Sequence, residues 1–331
     1  MTPRLRRRIA FLAACALLGA LVPDRPAIGA PGDEPIQWLT AAALAPRRVS
    51  YLGTKTVTVW AQTVRASEVR VYHEAPGRTR LEYLAAGDQP ERVVVISGGR
   101  QIEFVPGRPR YVEGPASQTD EDALTRQILP QVAANYDVHF AGAERVAGRP
   151  TRIVEIQGKL PGRPRLRLWI DAQTRLILRL ERYGPAGALR ETSAFLTVQL
   201  QPAFAPDLFT VAIPPGAQVV TRQPRQALTI EEISRRVGFI PQLPAYLPPG
   251  YRFVRSNVAS IHGTPTATFV FTDGVATMTL FESRGPQVEG GPGQRVRVGT
   301  AEGTVQARGV ATVLHWNANG ISFTLVGDIA S

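Results

Sequence analysis

The residues able to do chemistry in this chain are few and scattered. Its four histidines, His73, His139, His262 and His315, stand far apart, and none belongs to a His-Glu-x-x-His run or sits beside an acid at metal-ligand spacing. No Gly-x-Ser-x-Gly elbow supplies a serine nucleophile. The glycine-rich run Gly290-Gly291-Pro292-Gly293 lacks the Lys-Ser/Thr pair that a phosphate loop needs. Asp120, Glu121 and Asp122 form an acid cluster, but they follow Thr119 and precede Leu124, Ile128 and Leu129. That order reads as negative charge at the start of a helix, with Pro130 ending or kinking it. No catalytic residue, metal site or cofactor is expected, and the chain reads as a binding protein rather than an enzyme.

The one cysteine, Cys15, lies in a leader-like segment. Arg4, Arg6, Arg7 and Arg8 precede an uncharged apolar run from Ile9 to Val22, too short to span a bilayer, and Ala27-Ile28-Gly29 ends it as a cleavage site before Ala30. Residues 1–29 therefore read as a signal peptide. The alternative is a lipobox, Leu12-Ala13-Ala14-Cys15, with lipid anchoring at Cys15. Cleavage removes five arginines and one aspartate, so the net charge of +11 falls to +7, and no cysteine is left for disulfides, thiol catalysis or thiolate-bound zinc. Nucleic acid is disfavoured as a partner because the chain is exported and no aromatic-basic interleaving appears.

The remaining length, 30 glycines and 28 prolines suggest two domains rich in short strands. A first helix reads from Ile36, Leu39, Ala43 and Leu44, stopped by Pro46. Strands follow over 54–63, 68–73, 79–83, 92–96, 101–105 and 110–113, and resume from Tyr136. The clearest hairpin joins 163–170 to 175–183 through Asp171-Ala172-Gln173-Thr174. In the first arm Leu166, Leu168 and Ile170 share a face with Arg165 and Arg167 opposite, and in the second Leu176, Leu178 and Leu180 share a face with Arg175, Arg179 and Glu181 opposite, so one sheet face reads as apolar and the other as charged. The apolar face needs cover, and the two helices are available for it. Trp60, Tyr72, Phe104 and Trp169 are candidates to line a cavity beneath the sheet. A linker reads near 222–228. Thr229 then caps a helix with Glu231 and Glu232 in its first turn and Gly238 at its end. A proline-rich stretch and seven short strands complete the chain, with 285–294 reading as a mobile loop.

The strand-turn-strand run Leu168-Trp169-Ile170-Asp171-Ala172-Gln173-Thr174-Arg175, followed by Leu178-Arg179-Leu180, resembles the lipoprotein-carrier superfamily of LolA. Tyr51-Leu52-Gly53-Thr54, Tyr136-Asp137-Val138, Gly142 to Arg149 and Arg152 to Ile156 look more specifically like the sigma-E regulatory family of RseB, also called MucB. Leu243 to Phe253, Trp316, Gly320 and Gly327-Asp328 are similar to that family's C-terminal domain, although the family usually adds a helix after the last strand and this chain ends at Ser331. The resemblance implies an α+β protein. A large unclosed antiparallel β-sheet, a half-barrel curled over helices, would span 30–221, and a smaller α+β domain would span 229–331.

The resemblance also implies a non-enzymatic exported regulator, in the periplasm or on the outer face of the plasma membrane, that binds the exported domain of an anti-sigma factor. A lipid, lipoprotein acyl chain or other apolar ligand would be sensed in the large-domain concavity, with peripheral membrane contact as a further consequence. The alternative is a lipid or lipoprotein carrier of the cell envelope. The residues offered for the concavity are Val57, Val59, Leu81, Phe104, Leu166, Leu168, Ile170 and Leu178. Those offered for an anionic partner surface are Arg165, Arg167, Arg175 and Arg179.

Overall fold

The computed structural model describes residues 34–60, 63–85, 88–116, 128–222, 227–284, 293–308 and 311–327. The readings of the leader, Cys15, the helix start at Thr119, the acids 120–122 and the loop at 285–292 lie outside them.

Helix α1 (Pro35–Leu44) opens with proline in its first turn, where the missing N–H costs nothing, and passes into a 3-10 turn at Ala45–Arg47. Twelve strands form the first sheet. They are β1 (Tyr51–Trp60), β2 (Val64–Glu74), β3 (Arg78–Leu84), β4 (Pro90–Ser97), β5 (Arg100–Phe104), β6 (Arg110–Pro115), β7 (Tyr136–Val146), β8 (Arg149–Gly158), β9 (Arg165–Asp171), β10 (Ile177–Tyr183), β11 (Leu189–Leu200) and β12 (Gln218–Thr221). Their order is β12-β6-β5-β4-β3-β2-β1-β11-β10-β9-β8-β7, which leaves β12 and β7 as edges. The sheet is thus open, as expected, but mixed: β12 runs parallel to β6. Helix α2 (Leu129–Asn135) begins just before Pro130 and continues past it. A first-turn proline is compatible with a helix, and Pro130 stands in the first turn of α2.

Strand register assigns the faces. Val154, Leu168, Leu180, Ser193 and Val57 form one cross-strand row, and Ile156, Leu166, Arg182, Glu191 and Val59 form the next. Trp38, Leu39, Ala42, Leu129 and Val132 from the two helices pack on this face against Val154, Ile156, Leu168 and Ile170. Each such fully buried aliphatic side chain contributes roughly 1.5–3 kcal/mol. On the opposite face, over β2, β4 and β5, the irregular segment after β11 gives the cover, where Phe204, Leu208, Phe209 and Val211 pack on Tyr72, Val93, Val95 and Phe104.

One expectation for the hairpin is corrected. The register shifts between Ile177 and Arg179, so Ile177 pairs with Ile170 and Leu180 with Leu168, while Leu178 has no partner of its own. This bulge breaks the alternation. Ile177 and Leu180 join the helix-side cluster, whereas Leu176 and Leu178 join Trp169, Ile153 and Val146 in another.

The second sheet has the order β13-β14-β15-β19-β18-β17-β16 and is antiparallel throughout. Its strands are β13 (Arg252–Ile261), β14 (Thr264–Thr272), β15 (Thr277–Ser283), β16 (Gln294–Val298), β17 (Ala301–Arg308), β18 (Ala311–Ala318) and β19 (Ile321–Gly327). Helix α3 (Ile230–Val237) lays Ile233 on Phe269, Leu280 and Phe323. It starts with a complete capping box. The Thr229 hydroxyl accepts from the Glu232 amide at 3.3 Å, and the Glu232 carboxylate accepts from the Thr229 amide at 2.9 Å. Gly238 closes the helix at φ 77°.

Candidate functional site

No group of three or more metal-ligating side chains forms among the described residues. Three of the histidines meet polar partners. His73 is buried, with Nε2 donating to the Pro46 carbonyl and Nδ1 accepting from the Thr79 hydroxyl, and burial keeps its pKa below the usual imidazole value. His139 faces Glu155 at 3.7 Å, and His315 meets the Thr324 hydroxyl.

The Asp171 turn is an anchor. Its fully buried carboxylate accepts from the Thr174 amide at 2.7 Å and the Thr174 hydroxyl at 2.8 Å, and takes a fork from Arg149 at 2.7 and 3.1 Å. Burial alone would raise its pKa, but the Arg149 and Thr174 hydrogen bonds outweigh burial and hold it below the ordinary aspartate value. The most recognisable motif of the sequence therefore builds a turn.

The structure divides the expected apolar residues. Val57, Val59, Leu81, Leu166, Leu168 and Ile170 share the helix-side face. Phe104 does not: its register row runs through Val93, Glu82 and Arg70 to Thr54, on the opposite face. Leu178 belongs to the Trp169 cluster. Tyr72 and Phe104 sit beneath Phe204 and Phe209, and the Trp169 indole donates to Glu144, so the four candidate aromatics line no common cavity.

The arginines divide as well. Arg165 and Arg167 face Glu155 at 3.6 and 2.8 Å, and Arg179 pairs with Glu181. Arg165 lies over Tyr183 and Arg179 over Trp169, at 4.0 and 4.4 Å from the ring centroids. This face carries its own acids, which blunts its pull on an anionic partner. Arg175 is elsewhere: at φ 65° it turns away from the strand and places its guanidinium 3.7 Å from the Trp38 ring centroid on α1.

The feature with the geometry of a binding site is the seam where the two sheets meet. The β14–β15 turn plugs into the first domain, with Val275 packing in the core beside Trp38 and Leu129. Asp273, fully buried, accepts from the Tyr136 hydroxyl at 2.8 Å and faces Arg163 Nε at 3.6 Å, while its other oxygen accepts from the Val275 and Ala276 amides. The Asn135 side-chain amide donates to the carbonyls of Asp273, at 2.9 Å, and Gly250, at 3.2 Å. Arg163 donates to the Asn135 carbonyl at 3.1 Å and also to the Pro249 carbonyl. Burial and the Asp273 carboxylate raise the Tyr136 phenol far above its ordinary value. Gly250, at φ 85°, is required here, because a Cβ would lie 2.1 Å from Asn135 Oδ1.

Two grooves flank this staple. One, of about 580 Å³, runs between α2 and β13 and is lined by Ile128, Pro130, Ala134, Arg252, Phe253 and Val254. Phe253 and Val254 are about half exposed, at 50% and 47%. The other, of about 410 Å³, lies between the ends of β1, β10 and β11 and the second sheet, with Val59, Arg182, Arg190, Glu191 and Val326 among its walls. Val59 is the one expected site residue in either groove. The seam offers apolar walls with charged rims, the composition of a peptide- or ligand-binding surface.

Sequence reasoning missed the seam, because each pairing that crosses it joins residues more than 80 positions apart. The local signals were present only as turn chemistry, Pro248-Pro249-Gly250 and Asp273-Gly274.

A family model described as the MucB/RseB N-terminal domain matches residues 34–217. A curated relative, the sigma factor AlgU regulatory protein MucB of Pseudomonas aeruginosa, is 28% identical over 253 residues, covering 74% of this chain and 72% of the relative. The fold is shared with two solved complexes. The Pseudomonas aeruginosa MucA/MucB complex matches at 23% identity and TM-score 0.59, covering 89% of this chain and 94% of that one. MucB in complex with MucA(peri) matches at 23% identity and TM-score 0.58, covering 88% and 93%.

Proposed function

Because the chain belongs to the MucB/RseB family, we propose that it is an exported, non-enzymatic regulatory protein whose seam holds the exported domain of an anti-sigma factor. The observation that carries this reading is the seam: two sheets fixed at one buried staple, with an apolar groove on either side. The fold shared with MucB chains solved with MucA supports it. A partner segment laid along Phe253, Val254 and α2 would bury apolar surface contributed by both domains, so its affinity would depend on how the domains sit.

A lipid or other apolar ligand acts on the same element. Leu129 and Val132 of α2 cover Leu168 and Ile170, and the end of α2 supplies Asn135 to the staple. An acyl chain reaches that strip only by displacing α1 or α2, and displacing α2 moves the seam. Ligand and partner then prefer different states, which is the condition for one to shift the other. The same filling of the strip by the protein's own side chains counts against a pure carrier, which needs an open apolar cavity.

The test is to capture partners from the envelope fraction of the source cells with purified protein and to extract co-purified lipid. An exported anti-sigma segment in the captured fraction is expected. Recovery of neither that segment nor lipid would remove both readings.

A further inference from the structure

The segment between α3 and β13 is a strap with four prolines, Pro241, Pro244, Pro248 and Pro249, and no helix or strand. Phe239 and Leu247 pack into the second core, while Ile240, Leu243 and Tyr246 point outward and are exposed. The strap is tied at both ends. Near its start the Gln242 amide donates to Glu282 Oε2 at 2.9 Å. At its far end the Pro249 and Gly250 carbonyls accept from Arg163 and Asn135, so the strap is part of the seam.

The first tie is unusual. Glu282 is fully buried in β15, between Ala267 of β14 and Phe323 of β19. Its Oε1 is buried with no hydrogen-bond partner, and no cation pairs with it among the described residues. The charged neighbours are engaged elsewhere or face water. Arg284, just past the end of β15, donates to the Gly238 carbonyl and lies over Phe239. On α3, Glu232 closes the capping box and Glu231, Arg235 and Arg236 are exposed. Tyr251 is the other titratable group of this core.

We propose that Glu282 is a proton-dependent pin: protonated, it holds the strap 239–250 down, and ionised, it lifts the strap and loosens the seam at Pro249 and Gly250. An ionised carboxylate with one buried, unpartnered oxygen is costly in an apolar core, and the nearest route to hydration is displacement of the strap that covers it. Burial outweighs the Gln242 amide, which favours the charged form, and pushes the Glu282 carboxyl up to about 7 from an ordinary 4.5. A raised carboxyl binds its proton more tightly when covered, so the closed form is fully favoured below about pH 4.5 and loses that advantage as pH rises to 7. The device acts in the free protein, so it stands or falls separately from the identity of the partner.

The experiment is native-state hydrogen exchange on the purified protein from pH 5 to 8, corrected for intrinsic exchange and read at the Gln242 and Tyr251 amides. The opening equilibrium at both sites should rise roughly tenfold per pH unit between about pH 5 and 7, then level off. Glu282→Gln should remove that dependence at both sites. The proposal is overturned if wild-type protection at these amides is the same at pH 5 and pH 7.5, or if the glutamine variant keeps the wild-type profile. The wild-type profile decides the matter even if the variant does not fold.

Discussion

Asp273→Asn isolates the seam. The change preserves side-chain shape and the oxygen that accepts the Val275 and Ala276 amides, and removes only the charge facing Arg163 and Tyr136. At 3.6 Å and an effective dielectric of about 20, the attraction to Arg163 is about 4–5 kcal/mol before desolvation. A neutral amide avoids part of the burial cost, but the Arg163 side chain, only 7% exposed, is left without its anion. Together with the weakened Tyr136 hydrogen bond, the net loss is about 3 kcal/mol. Urea unfolding should show it as a lower free energy, and Tyr136→Phe alone should cost about 1 kcal/mol. Because the two changes share one contact, the double variant should cost less than their sum. The raised Tyr136 phenol adds a second signature. Its contribution is complete below its ordinary value of 10.0 and is lost as pH rises above it, so Tyr136→Phe should flatten part of the alkaline fall in stability. An Asp273→Asn protein within about 0.5 kcal/mol of wild type would refute the staple.

The hairpin anchor and the seam glycine give two further expectations. Asp171→Ala should cost about 3–5 kcal/mol by stranding Arg149 and two turn amides. Because Asp171 is held below its ordinary 3.8, its contribution is present above that value and lost as pH falls below it, so Asp171→Asn should abolish part of the acid denaturation seen by circular dichroism. Gly250→Ala should lower the melting temperature more than Gly238→Ala. Both need positive φ, but a Cβ at 250 collides with Asn135 and one at 238 meets nothing within 4 Å; equal shifts would contradict the close approach.

Local chemistry made much of the fold readable. Apolar spacing before Pro46 located α1, Thr229 with Glu232 and Gly238 located both ends of α3, and alternation located most strands. Reading failed where one residue changes the count or where contacts are long-range. The bulge at Leu178 reverses a face without any glycine or proline to mark it. Strand β12, immediately before the linker near 222–228, carries no strand signal of its own, and only its pairing with β6 makes it a strand. The arginines were legible as a charged face, with Glu181 on the same strand as Arg179, but two of the acids that neutralise them, Glu144 and Glu155, come from other strands.

The central claim, that the seam is where a partner binds, is tested most directly by a hydrogen-exchange footprint of the protein with the exported segment of its anti-sigma factor. Protection should appear at α2 and at Arg252, Phe253 and Val254, on both sides of the Asp273 staple. Protection confined to the outer strand face of Arg165, Arg167 and Arg179, with the seam unchanged, would contradict it.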